Sequence, residues 1–136
     1  MWLLFLVIII VVILMTVKLG GKQKKEGHFY VGQPWFSEMM TGAKKIDIRP
    51  GKEGKHDSLI GQTITYFHKQ ESFEAKITKI NHYKSYKELV KGEKLKDLAG
   101  GICKNDTELI DKLSKYHDPD TLALIGGVNA IFFEKV

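Results

Sequence analysis

The sequence predicts an α+β fold, a small open β-barrel with helical insertions, preceded by a single N-terminal transmembrane helix. Three observations support this prediction. Residues 2–17 are almost entirely apolar, which is typical of a membrane anchor. Five later segments have the composition or the alternating pattern of strands, and three have helical spacing. Their order, β-α-β-β-β-α-α-β with local hairpins, favours an open, mostly antiparallel barrel.

The chain divides into an anchor, a linker and one domain. Residues 1–18 form the predicted transmembrane anchor, residues 19–27 a basic, glycine-rich linker, and residues 28–136 the folded domain. A length of about 110 residues is typical of one domain and is enough to bury a core without disulfides. The single cysteine, Cys103, excludes an intramolecular disulfide and fits a reducing compartment.

The apolar run at the N-terminus reads WLLFLVIIIVVILMTV, and Thr16 is its only polar side chain. As a helix it spans about 25 Å, at the short end of what crosses a bilayer. A cleaved signal peptide has a basic segment before the run and a small-x-small cleavage site after it, and neither is present. The pattern therefore favours an uncleaved anchor over a signal peptide or a buried core helix.

The charges that flank the apolar run predict its orientation. Four lysines follow it in a stretch without acids: Lys18, Lys22, Lys24 and Lys25. Because positive flanks stay in the cytoplasm, we expect a single-pass protein with the N-terminus outside and the domain in the cytosol. The same lysines are candidates for binding anionic headgroups of the lipid bilayer. From Glu26 onward the chain has 17 basic and 16 acidic residues, so the domain gives no electrostatic sign of broad nucleic-acid binding.

The first half of the domain predicts two strands around a short helix. Residues 28–33 are an aromatic and β-branched run typical of a strand. Pro34 is suited to the first position of a helix, which continues at helical spacing until Gly42. Residues 44–49, KKIDIR, alternate between charged and apolar side chains, which predicts the second strand. The polar loop PGKEGKHDS follows at residues 50–58.

The second half predicts a hairpin, two helices and a closing strand. Residues 62–68 and 73–83 are two alternating runs separated by a short polar turn, KQES, so we expect them to pair. Residues 86–98 and 106–116 have helical spacing, and we expect Asp118-Pro119 to end the second helix. Residues 128–134 form the predicted last strand.

The most informative motif is Gly42-x-Lys44-x-x-Asp47-x-Arg49. A glycine ends a helix and a strand follows at once, so a cation, a carboxylate and a guanidinium gather where the strand begins. Arginine offers planar bidentate donors, and the carboxylate is able to pair with a base edge or to orient the lysine. On spacing alone, the alternative is an ordinary solvated strand face.

Together with three later segments, this motif resembles the ASCH domain family. The segments are IGQTITYF, ITKINHYKSYKELV and GGVNAIFFEKV, and the resemblance covers about residues 28–136. The family has a PUA-like β-barrel, so the resemblance implies that fold here. The family usually has a glutamate where this chain has Asp47, and often an aspartate where it has Gln62, and neither difference breaks the fold.

The resemblance implies that the cleft beside the motif binds RNA or a nucleotide- or nucleoside-like small molecule. Lys44, Asp47 and Arg49 would line the ligand site. The following loop would border it with three further residues, which are Lys52, Lys55 and His56. We predict no cofactor and no metal site, since the five histidines form no pair at metal-ligand spacing and Cys103 has no partner cysteine.

Two other functions remain open at this point. Some bacterial relatives are amidohydrolases that deacylate N4-acetylcytidine with a lysine, a threonine and a glutamate. Lys44 matches the lysine, Asp47 stands at the threonine position, and Asp106 is the nearest acid to the glutamate position. Because amide hydrolysis of this kind needs an activated hydroxyl or its equivalent, binding is favoured over catalysis. The third hypothesis is a membrane-associated structural or adaptor protein, cellular or viral, without catalysis.

Overall fold

The computed structural model describes residues 27–136. These residues form five strands, five α-helices and a 3-10 turn at Asp57–Leu59. The elements are β1 (His28–Tyr30), α1 (Trp35–Met40), β2 (Ile46–Pro50), β3 (Thr63–His68), β4 (Glu71–Tyr83), α2 (Tyr86–Gly92), α3 (Leu95–Ala99), α4 (Asp106–Tyr116), α5 (Pro119–Ile125) and β5 (Val128–Lys135).

The predicted membrane anchor and the lysines after it, Lys18, Lys22, Lys24 and Lys25, lie outside the described residues. Within residues 27–136, no helix has the length and apolar character needed to cross a bilayer. The anchor and its orientation therefore stay predictions.

The five strands form a single sheet in the order β1-β3-β4-β5-β2. β1 pairs with β3 in parallel, and the other neighbours are antiparallel. The 13-residue strand β4 pairs with both β3 and β5, and its register with β5 shifts between Ile77 and Lys79. Such a bulge increases the local bend of a strand. The sheet is a curled half-barrel whose two edge strands are β1 and β2, so the fold is α+β with an open barrel-like sheet.

Strand β5 is buried on both faces and separates two hydrophobic clusters. Val128 and Ala130 belong to the cluster that the helices α2 to α5 cover. Ile131 and Phe133 belong to the other, which β3, β4 and α1 line with aromatic rings. A strand that is covered on both sides reads as a continuous apolar run, which explains the sequence AIFF within β5.

The predicted helix over residues 86–98 is two helices in the structure. α2 ends at Gly92, and α3 begins at Leu95. A Cβ on residue 92 would lie 2.5 Å from the Tyr83 ring, so a larger residue here would force that ring to shift. The helical spacing continues across the break because both short helices bury their apolar faces in the same cluster, with Leu89 and Leu98 fully buried.

Helix α5 was not predicted, because Asp118-Pro119 was interpreted only as a helix end. In the structure the same dipeptide also begins a helix. The Asp118 carboxylate accepts a hydrogen bond from the backbone N–H of Thr121 at 2.8 Å, and Pro119 is the first helical residue. Aspartate as N-cap followed by proline is a favoured helix start. Gly126, with a φ of +110°, ends the helix and leads into β5.

Candidate functional site

The motif begins on a tight connection between α1 and β2 and continues into β2. Gly42 has a φ of +86°, a conformation that glycine adopts without strain. Two backbone hydrogen bonds then fix the chain, from Lys44 N to Glu38 O and from Lys45 N to Asp97 O, both at 2.9 Å. The connection therefore places the first motif side chain between α1, β2 and α3.

Lys44 is buried, with only 3% of its surface exposed. Its ammonium group donates hydrogen bonds to the backbone carbonyls of Ile46 and Leu98, and the second of these, at 2.6 Å, joins the segment before β2 to α3. Burial lowers the pKa of Lys44 to about 8, and the negative charge of Asp47 opposes this shift. Lys44 is thus a tethered cation, with two of its three N–H groups bound to backbone.

Asp47 and Arg49 form an ion pair, with 2.7 Å between Oδ2 and Nε. It is the single salt bridge within residues 27–136, and Arg49 is the only arginine of the sequence. Asp47 is 6% exposed, so this strand is not the solvated face that the alternating pattern allowed. The Arg49 guanidinium also lies 4.7 Å from the centroid of the Phe29 ring, within the range of a cation–π contact.

Arg49 also connects the two edge strands of the half-barrel. Its Nη2 donates a hydrogen bond to the backbone oxygen of Tyr30 at 3.1 Å. β1 and β2 are at opposite edges of the sheet and do not pair with one another. A single side chain on β2 therefore reaches across the open seam of the barrel to β1.

A cavity of about 390 Å³, called the ligand cavity below, opens beside this seam. Lys44, Asp47 and Arg49 all line it, so the structure brings the three motif side chains together. The other walls are largely apolar, and they include four aromatic residues from distant parts of the chain, called the aromatic wall below: Tyr30, Trp35, Tyr86 and Tyr116. The volume is within the usual range for small-molecule sites, and a few polar groups set in apolar walls are typical of them.

Sequence reasoning missed most of this aromatic wall. Tyr86 lines the cavity, whereas the nearby Tyr83 packs against Gly92. Tyr30, Trp35 and Tyr116 belong to β1, α1 and α4, and no local pattern links them. Only the spatial arrangement of these three elements reveals the wall.

The loop residues Lys52, Lys55 and His56 do not line the ligand cavity. The loop is instead held against β5 by Asn129, which is 1% exposed. The Asn129 side-chain nitrogen donates to the Lys52 carbonyl at 3.2 Å and to His56 Nδ1 at 2.9 Å. Burial and the positive charge of Lys55 lower the pKa of His56, which favours the neutral imidazole that accepts this bond. A role of the loop at the border of the ligand site stays a prediction.

The three positions of the hydrolase hypothesis are not all at the ligand cavity. Lys44 and Asp47 line it, whereas Asp106 is an exposed residue at the start of α4 and does not. Cys103 is buried, and burial raises the pKa of its thiol. Within residues 27–136, no cluster of His, Cys, Asp and Glu side chains is arranged to hold a metal ion.

No protein-family model and no curated protein matches this chain. The solved structures that are similar to it include the following two. The crystal structure of the hypothetical protein PH0355 has a TM-score of 0.69 at 22% identity, over 80% of this chain and 97% of that one. The solution NMR structure of protein PF0455 from Pyrococcus furiosus has a TM-score of 0.62 at 22% identity, over 81% and 96% of the two chains. At this identity the likeness shows the fold alone, a half-barrel compatible with a PUA-like architecture.

Proposed function

We propose that this chain is a membrane-tethered, ASCH-like module that binds RNA or a nucleoside-like ligand in the ligand cavity without chemically changing it. The observation that supports this most directly is the meeting of Lys44, Asp47 and Arg49 with an aromatic wall in one cavity. Proteins that bind unpaired bases stack them on aromatic side chains and recognise their edges by hydrogen bonds. The cavity has both kinds of group.

The polar wall has hydrogen-bonding capacity left for a ligand. Within the described residues, Arg49 uses Nε for Asp47 and Nη2 for the Tyr30 carbonyl, so Nη1 is left to donate. Lys44 uses two N–H groups for backbone carbonyls, and one remains. A base edge with carbonyl or ring-nitrogen acceptors fits these donors. The nearly neutral domain also favours recognition of one nucleotide unit over binding along a nucleic-acid backbone.

We expect replacement of Tyr30 by alanine to weaken nucleoside binding by the full-length chain, purified in mild detergent. Tyr30 lines the cavity and is 56% exposed, so the substitution removes a stacking surface with little effect on the core. Stacking of one base on an aromatic ring contributes ~1–3 kcal/mol, which corresponds to a loss of about fivefold to a hundredfold in affinity. Calorimetry or fluorescence with the four nucleosides and labelled single-stranded RNA measures it.

Leu124 provides the matched control for this experiment. It is 89% exposed on α5 and lines neither the ligand cavity nor the smaller cavity beside it. The Leu124→Ala variant should therefore bind nucleosides and RNA as the wild type does. If the wild type binds no nucleoside and no RNA, the proposed function is wrong. The structural or adaptor hypothesis would then be the better account.

The amidohydrolase hypothesis has one observation in its favour, which is the buried Lys44 with its lowered pKa of about 8. Lysines with depressed pKa values occur at catalytic sites. However, Asp47 supplies no hydroxyl nucleophile, and the Lys44 ammonium is tied to two carbonyls. We therefore expect no release of acetate from N4-acetylcytidine above the rate without protein. Turnover that Lys44→Met abolishes would favour the enzyme instead.

The membrane tether is the part of the proposal that rests on residues 1–25 alone. The apolar run and the lysines after it predict that the domain lies on the cytosolic side. In sealed microsomes or cytosol-side-out vesicles, added protease should digest the domain without detergent. Protection that is lost only when detergent opens the vesicles would contradict this orientation, and recovery of the chain in the soluble fraction would contradict the anchor.

A further inference from the structure

A second cavity, called the lysine cavity below, lies next to the ligand cavity. It has a volume of about 340 Å³ and is lined by Pro34, Trp35, Ile102, Lys112, Lys115 and Tyr116. Trp35 and Tyr116 line both cavities. They are joined by a hydrogen bond of 3.2 Å from Trp35 Nε1 to the Tyr116 hydroxyl. The two cavities are therefore neighbours that share one aromatic pair as their common wall.

The residues that line the lysine cavity include two lysines and no acid. Lys112 and Lys115 are three residues apart on α4, so their side chains lie on the same face of the helix. No carboxylate is among the lining residues, and the one salt bridge of the described part of the chain is that of Asp47 and Arg49. Neither ammonium group is therefore within salt-bridge distance of an acid there. Two such cations at the edge of a cavity attract an anion.

The charge is local, because the domain as a whole is nearly neutral. The other dense group of lysines, between residues 76 and 96, contributes to neither cavity. The two lysines of α4 are thus the cations that line the lysine cavity, whereas Lys44 and Arg49 line the ligand cavity. Because Tyr116 lines both cavities, a ligand that contacts it in the ligand cavity is next to the lysine cavity.

We propose that Lys112 and Lys115 bind a phosphate group of the same ligand whose base occupies the ligand cavity. The ligand is then a nucleotide, free or within RNA, and not an unphosphorylated nucleoside. This inference rests on the proposed function, since it assigns the second half of the same binding site. Trp35 and Tyr116 form the wall that the two halves share, and the lysines neutralise the phosphate.

The test compares each nucleoside with its 5′- and 3′-monophosphates, using the full-length chain. The variant is Lys112→Gln/Lys115→Gln, which removes both charges while it keeps most of the side-chain length. The matched control is Lys87→Gln/Lys91→Gln on α2, which removes two exposed lysines that line neither cavity. We expect the wild type and the control to bind one of the monophosphates about five- to tenfold more tightly than the nucleoside, as fits two partly exposed ion pairs.

In the Lys112→Gln/Lys115→Gln variant this preference for the monophosphate should disappear, while the affinity for the nucleoside stays within about twofold of the wild type. Raising the salt concentration should reduce the preference in the wild type and not in the variant. Equal binding of nucleoside and monophosphates by the wild type would overturn the phosphate site and leave the proposed function intact. If the control variant loses the preference for the monophosphate to the same extent, the preference is an effect of net charge, and this too would overturn the phosphate site. Binding of no nucleoside and no nucleotide would overturn both proposals.

Discussion

Replacement of Arg49 by alanine is expected to lower the free energy of unfolding by about 2–4 kcal/mol, somewhat less than removal of one partner from a fully buried ion pair. The estimate is reduced because the Arg49 side chain is 24% exposed. The substitution leaves the Asp47 carboxylate, which is 6% exposed, without its partner. Urea denaturation of the full-length chain, followed by near-ultraviolet circular dichroism, measures the change.

The size of the effect follows from the position of Arg49 at the seam of the half-barrel. A closed barrel joins its first and last strands by backbone hydrogen bonds, whereas here the edge strands β1 and β2 are joined by one side-chain hydrogen bond, from Arg49 to the Tyr30 carbonyl. The guanidinium also covers the Phe29 ring. Its loss therefore removes an ion pair, a hydrogen bond across the seam and a cation–π contact together.

A double-mutant cycle with Asp47 separates the ion pair from the other contacts. Asp47→Asn/Arg49→Ala should be more stable than Arg49→Ala alone, because no charge is left buried without a partner. Arg49→Lys should recover only part of the loss, since lysine lacks the planar fork that bonds two acceptors at once. If Arg49→Ala unfolds within about 0.5 kcal/mol of the wild type, the size expected for an ordinary surface residue, the seam does not depend on this side chain.

Much of the sheet could be predicted from the sequence, because period-2 alternation and turn residues are local signals. The hairpin of β3 and β4 and the late strand β5 follow from such patterns. The parallel pairing of β1 with β3 could not be predicted this way, since it brings His28 opposite Thr65 without any local turn between them. The start of α5 was missed for a different reason, since Asp118-Pro119 is a valid signal for both the end and the start of a helix.

The polar half of the candidate site could also be predicted, because its three residues lie within six consecutive positions of the sequence. The burial of Lys44 could not. A lysine at the beginning of a charged, alternating strand is usually solvated, and only the carbonyls of Ile46 and Leu98 make its burial tolerable. The Leu98 carbonyl is more than fifty residues away in the chain and becomes available because α3 ends there. The aromatic residues of the site could not be predicted for the same reason, since they come from elements that are far apart in the chain.

Stability is expected to rise with pH above about 8, because of Lys44. Its pKa is lowered by burial from 10.5 to about 8 in the folded protein. Between these two values the unfolded chain binds more protons at Lys44 than the folded chain does, so the free energy of unfolding increases with pH. From pH 7 to pH 9.5 the increase from this one group is about 2 kcal/mol.

The comparison with Lys44→Met isolates this contribution. Methionine keeps most of the buried volume but has no charge, so the difference in unfolding free energy between wild type and variant should change by about 2 kcal/mol over the same pH range. The range ends at pH 9.5 because a second group titrates above it. Burial and the nearby Asp47 raise the pKa of Tyr66 in the folded protein, so with rising pH the unfolded chain loses this tyrosine proton first. Above pH 10 this tyrosine effect destabilises the fold.

Parallel pH profiles for wild type and Lys44→Met would mean that Lys44 titrates normally and that the lysine is not buried as described. A lowered pKa of Lys44 also has a consequence for ligand binding. With a pKa of about 8, the buried ammonium is still mostly protonated at neutral pH, so it presents a positive charge and one unused N–H to the ligand cavity. Nucleoside affinity should then fall as the pH rises through 8, in the same interval in which the protein becomes more stable. If Lys44 binds the ligand through its buried charge, nucleoside affinity should fall and stability should rise over the same pH interval. Both trends should be absent in Lys44→Met.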